Sequence, residues 1–503
     1  MNSATRGGSS SPENDPQGAN AASGAERSDG TSGTSTGGTR GTRGTSGRPG
    51  QGAGSAAGAR DDDVRLRAML LSRGYLRLLL LCALLGVPVA LACFAFLTSQ
   101  HALQHAVWKH LPEALGHELA PWWWPLPTLL LAGLILAPIV TRMRGRGGHV
   151  PVHGLGGPVL GPDALPGVVL AALATLPLGV VLGPEAPLMA IGGGLALLGL
   201  RAFPRSAEPD AQGRVLLATA GSTAAISSIF GGPVVAAILV VEGAGIGGAR
   251  LVALLLPCLI ASATGALVFT GFGSWTGLSI GALSLPEVPP DATPDAADFL
   301  WGVPAAVLIA AAVASLRGLG RRTERWTAEH TAVRTVLCGI AAGALLTAYA
   351  LVTGRSPAEA ALSGQAMLGN LAAAPHELSV VALLALALFK GLTWSVCLGS
   401  MRGGPIFPGL LIGAVLGIAC SGLPGLGTTP GLALGMATAT AVVTGLPLSS
   451  SVLTVLLLGG DAHNQMPLIV IAAVAGVITA QLLHGRPAPA EPTAGTPAEQ
   501  VRG

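Results

Sequence analysis

The chain has 503 residues, of which 50% are hydrophobic and only 11% charged, and its mean hydropathy is +0.62. Soluble globular proteins carry about 25% charged residues, so these figures exclude an ordinary cytosolic enzyme and a disulfide-stapled secreted domain. A net charge of +3 is too small to imply nucleic acid or another polyanion as a partner, which leaves a membrane protein whose 73 glycines suit close helix–helix contact in lipid.

Residues 1–60 are Gly, Ser, Thr, Ala and Arg with almost no large aliphatic side chain. They cannot bury enough surface to offset ordering entropy, so a disordered tail is expected over 1–67, closed by the charged patch Arg60 to Arg67. No apolar segment follows the start, so the tail does not read as a signal peptide. Apolar runs follow at 76–97, 126–141, 165–182, 186–200, 249–271, 301–316, 331–352, 378–398, 406–422 and 467–484. The fold class they predict is an all-α polytopic membrane protein, with a loose tail over 487–503.

Several runs, including 186–200, 233–242 and 447–458, are too short to cross a ~30 Å hydrocarbon core as straight helices. Gly and Pro interrupt the chain at 183–187, 231–233, 403–408 and 445–447. Short, broken helices in corresponding places of two halves point to a binding site near the membrane midplane. The halves correspond: Pro187 and Pro408 close two similar Gly-Pro blocks 221 residues apart, and Pro233 and Pro447 open two short helices 214 residues apart.

Arginines cluster at Arg60–Arg77, Arg142–Arg146, Arg201–Arg214 and Arg317–Arg325, while Lys109 is the only Lys or Arg between Gln100 and Pro121. This pattern places the N-terminus in the cytoplasm and the Trp122-Trp123-Trp124 run in the outer interfacial belt. The cysteines, Cys82, Cys93, Cys258, Cys338, Cys397 and Cys420, lie in or beside apolar runs without metal or redox spacing, and read as small buried hydrophobes.

Glu185 is the most informative residue. It is a carboxylate between Pro184 and Ala186-Pro187 at the start of an apolar helix. An intramembrane carboxylate is costly and suggests function; the alternative is a loop carboxylate at a helix N-terminus near the interface, stabilised by the dipole. Glu242, followed by Gly243, reads as an end-of-helix carboxylate at the cytoplasmic face. The second element is Gly403-Gly404-Pro405-Ile406-Phe407-Pro408. Free N–H groups at a helix start attract anions, and glycine lets backbone approach an ion. Gly147-Gly148-His149-Val150-Pro151 has the same character. Arg402 is expected to face water or line an entrance. His149 and His153 are separated by a proline and no metal site is expected there.

These blocks resemble the CLC family of chloride channels and chloride/proton antiporters, from about residue 76 to 486. Gly183-Pro184-Glu185-Ala186-Pro187 is similar to its G-[RK]-E-G-P block, Gly404 to Pro408 to its G-x-F-x-P block, and Gly147 to Pro151 to a degraded G-S-G-I-P. Ser228 to Glu242 resembles the helix that follows, and Lys390 to Gly403 the run leading into the second filter loop. The resemblance implies a CLC-like inverted repeat of tilted and broken transmembrane helices over 68–486, with halves at about 68–248 and 298–486. It also implies a homodimer in the plasma membrane with one anion pathway per subunit; no cofactor is expected, nor, with no recognisable regulatory domain after the membrane region, a nucleotide-binding domain.

Glu185 would be the gating glutamate, its carboxylate occupying an anion site when ionised. Backbone at Gly183, Pro184, Ala186, Gly147, Gly148, His149, Val150, Gly404, Ile406 and Phe407 would line the path. The chain departs from the family pattern in several places. Gly148 stands where the family has its central serine. The central tyrosine aligns near Pro489. Pro405 has no N–H to donate, Phe407 is displaced by one position, and Gly243 replaces the second glutamate of antiporters. The expectation is a non-enzymatic anion transporter, chloride by default, conducting passively or with weak proton coupling. The alternatives are an antiporter with another proton route and a non-conducting scaffold.

Overall fold

In the computed structural model the chain is helical, and the structure describes residues 66–155, 160–201, 211–245, 248–277 and 294–484, with residues 64, 285 and 288. The tails expected at 1–67 and 487–503, apart from residues 64, 66 and 67, and the position near Pro489 lie outside the described residues.

Among the described residues, eight helical spans are long and apolar enough to cross a membrane. They are α1 (Arg73–His105, continued by a π turn to Ala114), α2 (Pro125–Arg142), α5 (Ala211–Phe230), α7 (Gly248–Thr276), α8 (Ala296–Glu329), α9 (Thr331–Thr353), α11 (Val380–Ser400) and α15 (Ala462–His484). Between them lie shorter helices: α3 (Leu165–Thr175), α4 (Glu185–Leu200), α6 (Pro233–Ala244), α10 (Gln365–Ala373), α12 (Ile406–Cys420), α13 (Thr428–Thr444) and α14 (Pro447–Leu458). At ~1.5 Å per residue, a 12-residue helix such as α6 or α14 rises ~18 Å, little more than half the ~30 Å hydrocarbon core. The chain is a multi-pass membrane protein in which several apolar helices are too short to cross a bilayer.

The apolar run at 165–182 is not one helix. α3 ends at Thr175, and residues 176–184 are turns and irregular backbone. Pro177 cannot donate to the ladder, and Gly179 takes φ +108°, a conformation that favours glycine. Trp108 covers this turn and donates its indole N–H to the Pro177 carbonyl at 3.0 Å.

The two halves repeat in their packing. α4 crosses α5 at Gly192 and Gly221, where a Cβ on Gly192 would stand 2.8 Å from the Gly221 carbonyl carbon. α12 crosses α13 at Gly413 and Gly435 with the equivalent distance at 2.9 Å. Gly413 lies 221 residues after Gly192, and Gly435 lies 214 after Gly221, the same two offsets as the Gly-Pro blocks and the short Pro-led helices. Side chains at these four positions would force the backbones apart, so glycine sets the interaxial distance. Five of the six cysteines are buried and Cys420 partly so, all with free thiols.

Candidate anion site

The sequences Gly183-Pro184-Glu185-Ala186-Pro187 and Gly404-Pro405-Ile406-Phe407-Pro408 share the pattern G-P-x-x-P. In each, the first proline is the N-cap of a helix, α4 or α12, and the second falls in its first turn. Prolines therefore remove two of the amide donors that a helix start leaves unpaired. The amides that remain in the first turn are those of Glu185 and Ala186 in α4, and of Ile406 and Phe407 in α12.

The two blocks meet through their glycines. Gly183 and Gly404 form an antiparallel bridge: the Gly183 N–H donates to the Gly404 carbonyl at 2.8 Å and the Gly404 N–H to the Gly183 carbonyl at 2.5 Å. An antiparallel bridge between equivalent residues of two repeats is the contact that an approximate two-fold axis produces. It sets the starts of α4 and α12 side by side.

Glu185 sits in this junction with no exposed surface. Its Oε1 accepts the Phe407 N–H at 2.8 Å, and the Ile406 N–H faces the same carboxylate. Its Oε2 has no hydrogen-bond partner. The carboxylate fills the space beside the two glycines: a Cβ at Gly183 or at Gly404 would stand 2.6 Å from the Glu185 Cδ. This burial encloses the Glu185 carboxylate in protein rather than leaving it on an exposed loop. The side chain does cap a helix, but the helix is α12 of the other half. The Phe407 ring lies 5.6 Å from that of Phe230, at the end of α5, and closes the apolar wall of the junction.

Several expected backbone contacts are corrected by this geometry. The N–H groups of Gly183 and Gly404 are used by each other, and that of Gly148 donates to the Gly145 carbonyl at 2.8 Å. Pro184 has no N–H. Of the first-turn amides, that of Phe407 donates to Glu185, and those of Ile406 and of Glu185 itself face the same carboxylate. Gly147 to Pro151 does not open a long helix; it leads into a three-residue 3-10 turn, Pro151–His153, because Gly147, Gly148 and Gly154 all take positive φ. Its Gly147 packs near the Arg402 side chain, so the loop reaches the rest of the junction through Arg402. His149 and Val150 lie in the same loop, and His153 pairs with Glu324 at 2.7 Å. No cluster of metal-ligating side chains occurs among the described residues.

Arg402 does not point to water. It is buried, and its guanidinium donates to the carbonyls of Arg146 at 3.1 Å and Met401 at 2.9 Å. Its own carbonyl accepts the Thr175 hydroxyl at 3.0 Å. The arginine thus ties the Gly147 loop and α3 to the second Gly-Pro block.

Glu185 is also not the only buried charge in the interior. Lys390, midway along α11, is 1% exposed. Its ammonium donates to three carbonyls, Ala360 and Ala361 at 3.0 Å and Leu362 at 3.2 Å. Leu362 takes φ +62°, and its N–H donates to the Gly179 carbonyl at 3.3 Å. Lys390 therefore fixes the loop that holds Gly179, at the start of the irregular segment leading to Glu185. Its signal in the sequence was a single lysine in a run of apolar residues from Val380 to Leu398.

Glu242 repeats the logic of Glu185. At the end of α6 it accepts the N–H groups of Leu448 at 2.8 Å and Ser449 at 2.6 Å, in the first turn of α14. Each carboxylate comes from the first half and satisfies a helix start of the second.

A family model described as Voltage gated chloride channel matches residues 150–480. The chain is 30% identical over 361 residues to "Putative ion-transport protein YfeO" of Escherichia coli (strain 55989 / EAEC), covering 70% of this chain and 80% of that protein. The protein of that name from Shigella boydii serotype 4 (strain Sb227) matches to the same extent. Among solved structures, a slow cyanobacterial Cl-/H+ antiporter superposes with a TM-score of 0.67 at 16% identity, covering 82% of this chain and 96% of that one. A CLC-type fluoride/proton antiporter superposes with a TM-score of 0.61 at 19% identity, covering 81% and 95%. At these identities the superpositions establish the fold.

Proposed function

This chain belongs to the voltage gated chloride channel family, and from that premise we propose that it carries chloride through the junction of α4 and α12, with Glu185 as the gate. The observation that carries the proposal is the Glu185 carboxylate itself, buried and bound to the Phe407 N–H at 2.8 Å. A carboxylate oxygen and a chloride ion seek the same donors, so each displaces the other. When Glu185 is protonated or outcompeted, its side chain leaves and the amides of Ile406, Phe407 and Ala186 receive the anion. No lysine or arginine side chain is at hydrogen-bond distance from the carboxylate among the described residues. A site of backbone dipoles binds weakly enough for transit.

Transport is passive or loosely coupled to protons. Gly148 and Gly243 support this, since neither supplies the hydroxyl or carboxylate that tight exchange would use. Proton exchange is the second reading, favoured by the fold it shares with two proteins described as proton antiporters. The protein acts as a homodimer in the plasma membrane, with a cytoplasmic N-terminus; the arginine clusters support that orientation. Simultaneous chloride and pH recording from proteoliposomes tests the function. Chloride efflux without uphill proton movement is expected. Protons driven uphill by a chloride gradient would overturn passive transport, and an absence of flux would overturn the function.

A further inference from the structure

The C-terminal end of α8 carries a second set of charges that the transport path does not use. Residues 299–316 hold no charged side chain. They rise ~27 Å, close to the ~30 Å hydrocarbon thickness. From Arg317 onward the helix is basic, with Arg321, Arg322 and Arg325 before Trp326. Arg322 therefore lies ~9 Å along the axis beyond Leu316, the end of the uncharged stretch, a depth that suits lipid headgroups.

A groove of ≈ 320 Å³ opens there between α8, α9 and α11. Arg322, Thr323 and Trp326 line it from α8, Leu337, Cys338 and Ala341 from α9, and Val396 from α11. Trp326 is 43% and Leu337 45% exposed. The groove thus combines a guanidinium with largely apolar walls.

The nearby acids are engaged elsewhere. Glu329 pairs with Arg334 at 2.6 Å, and Arg334 stacks over the Trp326 ring at 4.9 Å. Glu324 pairs with His153 at 2.7 Å. Arg322 and Arg325 are exposed neighbours one turn apart and have no ion pair among the described residues. Two like charges so placed repel each other unless an anion lies between them.

We propose that this groove binds an anionic glycerophospholipid, its phosphate held by Arg322 and Arg325 and its acyl chain lying along Leu337, Ala341 and Val396. The charge pattern selects the occupant. A zwitterionic lipid brings its own cation to the arginines, and a free phosphate leaves the apolar walls uncovered. The site lies on a different face of α11 from the Lys390 cage and is independent of the anion path.

Native mass spectrometry of the full-length protein tests the site, titrating phosphatidylglycerol, phosphatidylcholine with the same acyl chains, and glycerol phosphate. Phosphatidylglycerol is expected to bind the wild type at least tenfold more tightly than phosphatidylcholine, with no binding of glycerol phosphate. With each arginine contributing about sixfold, the double variant R322A/R325A should bind phosphatidylglycerol about thirtyfold more weakly. Among the described residues neither arginine has an ion pair, so the variant should keep the fold; Leu337→Trp, which fills the apolar part of the groove, should lower phosphatidylglycerol binding with both arginines intact. Equal binding of the two lipids, unchanged binding in R322A/R325A, or binding of glycerol phosphate alone would overturn the proposal.

Discussion

Replacing Glu185 by alanine removes the competitor from the anion site, and the size of the effect follows from one contact. The wild-type carboxylate gains the Phe407 N–H at 2.8 Å. A hydrogen bond to a charged group contributes about 1.5–3 kcal/mol. At 1.4 kcal/mol per factor of ten, the seated carboxylate is favoured over a displaced one by about ten- to a hundredfold. An entering anion must overcome this preference. In Glu185→Ala it is gone, so the apparent Kd for chloride should fall by about ten- to a hundredfold in calorimetric titration of the purified protein. Glu185→Gln keeps an acceptor without the charge, and neutral hydrogen bonds contribute about 0.5–1.5 kcal/mol, so its gain should be intermediate. The pH dependence has a definite sign. Acid neutralises the wild-type carboxylate and frees the donors, so wild-type chloride affinity rises as pH falls, while both variants stay flat. A Glu185→Ala protein with wild-type affinity and wild-type pH dependence would refute the competition.

Three further outcomes follow from the packing. Lys390→Met leaves three carbonyls without this donor, two of them buried, at about 1–3 kcal/mol for each buried one, and should lower the thermal midpoint in detergent more than any other substitution named here. An unchanged midpoint would mean the ammonium does not hold the 360–362 loop. Gly413→Ala places a Cβ 2.9 Å from the Gly435 carbonyl carbon, so it should cost about 1–3 kcal/mol by overpacking, read in the same melt. Glu242→Ala removes the acceptor for the Leu448 and Ser449 amides; it should destabilise by about 0.5–2 kcal/mol while leaving chloride affinity unchanged, and a change in affinity would place Glu242 in the anion path.

Much of this architecture is legible in the sequence because lipid leaves few options. A backbone in hydrocarbon must be helical or closed on itself, so apolar runs mark spans, and Gly-Pro breaks mark the interruptions. Glu185 stands out for the same reason, as a carboxylate where charge is costly. The pairing of partners across the chain is not legible locally. Gly183 and Gly404 are 221 positions apart, and only the folded bridge shows that their amides are used by each other rather than offered to an anion. Arg402 is misplaced for a related reason. Its sequence neighbours are loop residues, while its acceptor, the Arg146 carbonyl, lies 256 residues away. Lys390 carries a visible signal, a single cation in an apolar run, but its three carbonyl acceptors belong to a loop whose backbone conformation no residue type announces. Gly147 to Pro151 reads as a helix start because Gly and Pro open helices and also build turns, and here the positive φ angles select the turn.

The competition between carboxylate and anion for the Phe407 amide can be observed directly by anomalous diffraction from crystals of the wild type and of Glu185→Ala grown in bromide. An anomalous peak within hydrogen-bond distance of the Phe407 amide is expected in the alanine variant, at the place the Glu185 carboxylate occupies in the wild type. No peak there in the variant, or a peak at that amide while the ionised carboxylate stays bound to it, would contradict the account.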